Sequence, residues 1–250
     1  MKIGIIGAGT IGSLLVQKLS TAGHEVKVAA KNGPESISPE VLSKGGRAVT
    51  SEEAVTDVDA IIVSIPPGSI PDIACLFADV APTTVVIETS NYFPQRDGNI
   101  TALDQGMPAS EWVTEQLGRP VAKAWNTMAT KSFAVNSRPA GAEDRLAMPV
   151  AADRDRDREV AMALVEDTGF DAIDAGPLSE SWRQQPGSPV YCTDLNRHEV
   201  PAALAATERD RLPKRRDLTF AVAMEWLEGT SETSPPAEVT VRQHRALLMS

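Results

Sequence analysis

The sequence predicts an α/β chain built on a doubly wound, mostly parallel sheet, and three observations predict it. Short runs that are apolar nearly throughout, KIGII at 2–6, AIIVSIP at 60–66 and TVVIETSN at 84–91, read as strands covered on both faces. Helical patterns alternate with them, which is the order a parallel sheet with crossover helices requires. The glycine-spaced turn GAGTIG at 7–12 joins the first run to the first helix, and EVKVAA at 25–30 completes a βαβ unit of about 30 residues.

The elements follow in order. After the glycine turn, Leu14, Leu15, Lys18 and Leu19 recur at helical spacing, and Gly23 suits a helix stop. A short strand is expected near RAVT at 47–50, then a helix opening on Ser51 with Glu52 and Glu53 in its first turn. Beyond the strand at 60–66 come a helix at 70–80, the strand at 84–91, a helix at 109–118 and a strand, PVAKAWN, at 120–126. Past the loop SRPAGAEDR the pattern resumes as a strand in LAMPVAA, a helix at 155–168 and a strand in FDAIDAG. The run DRDRDRE at 153–159 reads as a solvated helix start pairing Asp153 with Arg156 and Asp155 with Arg158. Two helices are expected between 195 and 228, and the tail from Thr230 reads as poorly ordered or as an arm on a partner. This divides the chain into a Rossmann-type dinucleotide-binding domain at 1–138, a small α/β region at 139–195 lining an acceptor site, and a helical extension with a flexible tail at 196–250.

Bulk properties narrow the partners. The 250 residues carry 24 Lys and Arg against 34 Asp and Glu, a formal charge of −10, so a broad nucleic-acid or anionic-membrane surface is not expected. An anionic ligand must be held by a few placed residues. Cys75 and Cys192 form no paired motif, so both read as small core side chains in a reducing compartment and no metal site is expected. The start of the chain resembles a secretory signal only in its greasiness; its glycines have a mechanical meaning of their own, and a cytoplasmic protein is expected.

GxGxxG alone is weak evidence, but between a strand and a helix it reads as a dinucleotide site. Gly7 allows the tight turn, Gly9 lets backbone approach a pyrophosphate, and Gly12 lets helix and strand pack closely, while Thr10 and Ile11 stand at the loop tip. The helix N-terminus adds free N–H groups and a positive dipole end. The residue that meets the adenosine ribose should fall at the end of the second strand, where NAD sites place an acid. Here Lys31 and Asn32 stand in that place, an ammonium and an amide suited to a 2′-phosphate, so NADP(H) is the expected cofactor. The alternative leaves Lys31 in solvent with Glu35 turned in to the ribose.

The motifs MKIGIIGAGTIGSLL, GPESI, VSIPP at 63–67, VAKAWNT at 121–127, MPVAAD at 148–153 and DTGFDAIDAGPL at 167–178 together resemble the coenzyme F420-dependent NADP oxidoreductases. Their N-terminal domain is similar to those of the pyrroline-5-carboxylate reductases and the STEAP metalloreductases. The resemblance covers roughly residues 1–195 and implies that Gly7, Gly9, Thr10, Ile11 and Gly12 hold the pyrophosphate while Ser64, Ile65 and Pro66 flank the nicotinamide. The Lys31–Asn32 pair departs from the Ser-Arg pair often found in the family. The resemblance also implies a homodimer that passes a hydride between NADP(H) and F420 or a flavin-like acceptor. Such ring-to-ring transfer demands no fixed acid or base, and no catalytic side chain is assigned.

A carbonyl or imine reductase, by contrast, should place a proton donor in the cleft. His24 lies in a helix-strand turn, His198 and His244 fall in the unassigned extension, and Lys123 reads as a packing or ion-pair residue. On the acceptor side Asn126 and Thr127 stand past a strand end, Trp182 could cover a planar ring, and Arg183 could bind an anionic tail; domain packing is the alternative for that pair. A non-catalytic NADP-binding redox sensor would keep the same glycine loop.

Overall fold

A computed structural model describes residues 1–232 and 234–249; Thr233 and Ser250, on which part of the expected tail falls, lie outside them. Eight strands, β1 (Lys2–Ile6), β2 (Glu25–Ala29), β3 (Arg47–Ala48), β4 (Ala60–Val63), β5 (Val85–Glu88), β6 (Ala122–Lys123), β7 (Ala147–Ala152) and β8 (Asp171–Asp174), form one sheet in the order β3-β2-β1-β4-β5-β6-β7-β8. Every neighbouring pair is parallel except β6 and β7, where Ala122 faces Ala152 and Lys123 faces Ala151. The region after residue 139 therefore extends the same sheet through one antiparallel joint.

The helices are α1 (Thr10–Thr21), α2 (Pro39–Leu42), α3 (Ser51–Ala54), α4 (Ile70–Ile73), α5 (Pro94–Asp97), α6 (Thr101–Asp104), α7 (Ala109–Leu117), α8 (Thr130–Val135), α9 (Asp155–Asp167), α10 (Val200–Ala205), α11 (Leu212–Leu227) and α12 (Ala237–Leu248). Alternating strand residues feed two cores. Ile3, Ile5, Ile62, Val85 and Ile87 pack with Leu15, Val16 and Leu19 of α1 and Leu164 and Val165 of α9. Ile6, Ile61, Val63 and Val86 pack on the other face with Ile70 of α4 and Trp112, Val113 and Leu117 of α7. Each fully buried aliphatic side chain contributes about 1.5–3 kcal/mol, so burial on both faces fixes the register of the central strands.

Local chemistry sets the element ends. Thr50 caps α3: its hydroxyl accepts from the Glu53 N–H, and the Glu53 carboxylate accepts from the Thr50 N–H. Lys18 projects from the apolar face of α1 because its ammonium lies 5.1 Å from the Phe133 ring and donates to the Ser137 hydroxyl.

Four expectations are corrected. The helix foreseen at 70–80 is shorter, α4 followed by a 3-10 turn at Ala74–Phe77. Only one of the two ion pairs foreseen at 153–158 forms, Asp155 with Arg158; Asp153 instead accepts from the Leu178 N–H, and the buried Asp157 takes Arg154. Cys192 is buried but Cys75 is exposed. The tail carries α12, which packs on α8 and α11 rather than standing free. Among the described residues no helix is long and apolar enough to cross a membrane.

Candidate functional site

Main-chain geometry builds the first wall of a cleft at the carboxyl ends of the strands. Gly7 has φ +109°, and a Cβ there would stand 2.2 Å from the Ser64 carbonyl oxygen. A Cβ on Gly12 would lie 1.9 Å from the Gly7 carbonyl oxygen, so the start of α1 can sit on the turn only without a side chain. Gly9 is different: a Cβ there would meet nothing within 4 Å, and the residue caps α1 without a side-chain bond to the helix end. The first N–H groups of α1 thus face open space, the arrangement that receives a phosphate. These residues fit a dinucleotide's pyrophosphate.

A cavity of about 390 Å³ opens there, with Gly9, Thr10, Ile11, Ser64, Ile65, Pro66 and Asn126 among its lining residues. Gly7 and Gly12 support it from behind. Lys31 and Asn32 stand exposed beyond β2, away from this cavity. The Glu35 carboxylate folds back over the same turn, so that a Cβ on Gly33 would lie 2.5 Å from its Oε1.

Three expected acceptor residues lie elsewhere. Thr127 is buried with its carbonyl accepting from the Cys192 N–H at 2.6 Å, and it does not line the cavity. Trp182 and Arg183 stack on each other at 4.2 Å, and Trp182 lines a separate hollow with Arg209 and Leu212. Arg183 is held by Glu180 at 2.7 Å, one helical turn back. The segment around Trp182 packs on α7 and β7, and the indole lines that hollow rather than the cavity at the strand ends.

The floor of the cavity is fixed from below by a buried ion pair. Lys123 donates to Glu88 Oε1 at 2.7 Å and to the Ser90 carbonyl at 2.9 Å, and both side chains are fully buried. Ser110 donates to the same carboxylate, which also accepts from the Ser90 N–H at 2.7 Å. Burial pushes the Glu88 carboxyl up, but the Lys123 charge and the donors from Lys123, Ser110 and Ser90 outweigh it and hold the carboxyl below its usual range. The pair pins the loop after β5. Asn91 then donates to the Asn126 carbonyl at 2.8 Å, and the Asn126 amide donates to Asn91 Oδ1 at 3.1 Å and to the Gln184 carbonyl at 2.7 Å.

The roof was not legible in the sequence. Phe220 of α11 stacks on Phe93 at 5.4 Å, and His244 of α12 lies 5.7 Å from the Tyr191 ring; all four line the cavity. Arg96 and Lys131 add two cations to its wall. Arg245 clamps α12 in place by donating to the Thr193 and Asp194 carbonyls at 2.8 and 2.9 Å. Trp125 and Cys192, both on the wall, and Asp194 beside it hold φ of 56°, 56° and 49°. Non-glycine residues in that region store strain that clusters at functional sites. Burial drives the Tyr191 phenol well above its usual range and the Cys192 thiol up to about 12, so neither ionises near neutrality. The one signal for the roof was the spacing of Thr240, His244 and Leu248 on one helix face, which does not say what that face covers.

The family model matches the first part of the chain, and solved structures share the fold over most of its length. Residues 2–92 match the family model described as NADP oxidoreductase, coenzyme F420-dependent. That stretch holds β1 to β5 and the glycine turn, and it marks the nucleotide-binding part as akin to NADP-dependent oxidoreductases. The protein YjhV of Escherichia coli (strain K12) is 44% identical over 82 residues, which are 31% of this chain and 60% of that relative. This chain thus spans about three fifths of the curated relative it matches. A solved structure of the hypothetical protein SMa0349 from Sinorhizobium meliloti shares 26% identity with a TM-score of 0.69, covering 79% of this chain and 96% of that one. A protein from Arthrobacter sp. FB24 described as an F420-dependent NADP reductase shares the fold at 21% identity and a TM-score of 0.55, over 72% of this chain and 87% of its own.

Proposed function

We propose that the protein is an NADP(H)-dependent oxidoreductase that moves a hydride between the nicotinamide and a second redox molecule seated under α11 and α12. One observation carries this reading. The open N-terminus of α1, the Ser64–Pro66 turn and an aromatic-rimmed space share a single cavity, whose volume of about 390 Å³ falls among small-molecule sites. Bound NADPH supplies the hydride. The chain's part is to hold the pyrophosphate at Gly9–Ile11, to offer Lys31 and Asn32 to a 2′-phosphate, and to keep water from the reacting rings.

A deazaflavin of the F420 kind, or a flavin, is the leading acceptor. The family match at 2–92 supports it, as do the flat faces of Phe93, Tyr191 and Phe220 around the cavity. A small carbonyl or imine is the second reading, favoured by His244 on the same wall. Mixing the protein with NADPH and, separately, F420, FMN, FAD, pyruvate or a cyclic imine tests both through loss of the nicotinamide absorbance band. Oxidation with F420 or a flavin supports the first reading, and oxidation with pyruvate or the imine alone moves the assignment to the second. Tight NADPH binding with no oxidation by any acceptor would sink the enzyme and leave a redox sensor.

A further inference from the structure

The C-terminal segment brings a titratable side chain to a cavity that otherwise offers no proton donor able to exchange near neutrality. His244 is 7% exposed and lines that cavity. Its Nδ1 lies 2.8 Å from the Thr240 carbonyl oxygen. A carbonyl only accepts, so Nδ1 must carry a proton, and in the neutral ring Nε2 is left with its lone pair. Among the described residues no group bonds Nε2. Position comes from outside the ring: Arg245, the next residue, holds α12 to the Thr193 and Asp194 carbonyls, and Tyr191 packs against the imidazole.

We propose that His244, through Nε2, is the residue that exchanges the proton accompanying hydride transfer. The inference rests on the nucleotide site assigned above and replaces the expectation that ring-to-ring transfer uses no fixed acid or base, because two-electron reduction of either acceptor class also takes up a proton. The nicotinamide C–H bond breaks and its electron pair forms a bond to hydrogen at the acceptor's electrophilic atom, a ring carbon in a deazaflavin, a ring nitrogen in a flavin, or the carbon of a carbonyl or imine. The displaced π electrons come to rest on a heteroatom, a conjugated ring nitrogen in a deazaflavin or flavin, or the adjacent oxygen or nitrogen of a carbonyl or imine. That atom takes the proton from protonated His244, which is left neutral and is recharged from solvent. The acceptor gains two electrons and the nicotinamide loses two. In the reverse direction neutral His244 takes the proton as a base.

The groups facing the imidazole leave this role to it. The segment at 191–194 presents Tyr191 and Cys192, both driven out of the neutral range by burial, and Asp194, whose carboxylate accepts from Ser132 at 2.7 Å. From α8, Lys131 is paired with Glu232 at 2.7 Å; from α5, Arg96 is paired with Asp97; on α12 itself Arg245 is spent on backbone carbonyls. The residues of α11 on this wall, Thr219, Phe220 and Ala223, do not titrate. Burial also lowers the His244 pKa, so at neutral pH the ring is in the base form that takes a proton at Nε2, and the form that donates from Nε2 is populated toward acid.

The test uses the full chain and the two nucleotides. Oxidised nicotinamide is cationic and reduced nicotinamide is neutral, so protonated His244 should oppose NADP⁺ and not NADPH. Dissociation constants measured by calorimetry between pH 4.5 and 8 should show NADP⁺ weakening about tenfold relative to NADPH toward acid, and H244N should abolish that difference. Should H244N fail to fold, the wild-type chain answers by NMR. With only three histidines to assign, NADP⁺ should lower the His244 titration by about one pH unit and NADPH should not. With whichever acceptor turns over, H244N should cost about 10²–10⁴-fold in kcat while NADPH affinity at pH 8 stays within threefold. A ratio of NADP⁺ to NADPH affinity that follows the same pH course in wild type and H244N, or a His244 titration indifferent to NADP⁺, overturns the assignment. Failure of both nucleotides to bind at pH 8 overturns the nucleotide site itself, and the assignment with it.

Discussion

Lys31 shows how much one side chain can decide at the residue scale. It stands exposed past the end of β2 where an acid would grip a ribose hydroxyl, and Glu35, the acid nearest in the loop, folds over Gly33 instead. Lys31→Asp should therefore lower NADPH affinity and raise NADH affinity, moving their ratio about tenfold in fluorescence titrations. An unchanged ratio would remove Lys31 from cofactor choice. Lys123 is decisive for a different reason. It and Glu88 are fully buried, so Lys123→Met leaves a carboxylate without its cation and should cost about 3–5 kcal/mol of stability, read by denaturant melts. The Glu88 carboxyl is depressed in the folded chain, so its stabilisation is complete above the ordinary carboxylate range and is lost as pH falls through the folded value. Acid melts of wild type should steepen below about pH 4.3, and the variant should lose that dependence.

At the scale of elements, the chain separates what folds the sheet from what closes the site. Neither large core contains a residue of α11 or α12, yet these helices carry Phe220 and His244 over the cavity. Truncation after Gly229 should leave a folded sheet, with circular dichroism close to that of the full chain apart from the lost helix, and NADPH binding within about tenfold. Acceptor turnover should disappear. A truncated chain that does not fold would show α12 to be structural rather than a roof. The short ends of β3 and β6 tell the same story from the other side: two-residue strands persist because Thr50 caps the next helix and because Lys123 is locked beneath the loop after β5.

On the scale of the whole molecule, charge is spent locally. The chain carries a net −10, while Arg96 and Lys131 stand on the cavity wall, each paired with a carboxylate, and Lys31 stands exposed past the end of β2. On the proposed function, an anionic nucleotide is drawn by a placed cation such as Lys31 against a repelling background, a pattern that favours placed ligands over polyanions. The eight-stranded sheet runs through both the nucleotide half and the region after residue 139. Loops after β1, β4, β5 and β6 therefore converge on one cleft without a hinge in the sheet between them.

The sequence by itself determined the doubly wound sheet, the glycine turn and the residues 64–66 beside it, because strand burial, turn sterics and helix dipoles act over a few residues and leave periodic marks. It also placed Asn126 at a strand end that does reach the cavity. What only the tertiary structure decided was the cavity's far side. Trp182 and Arg183 have the right chemistry for an acceptor but pack into another hollow, and His244 and Phe220, in segments with no motif, come back over the strand ends. A helix face shows in its spacing that it will be covered. Which surface covers it depends on contacts made more than a hundred residues away along the chain, such as Phe220 on Phe93, and no local pattern encodes those.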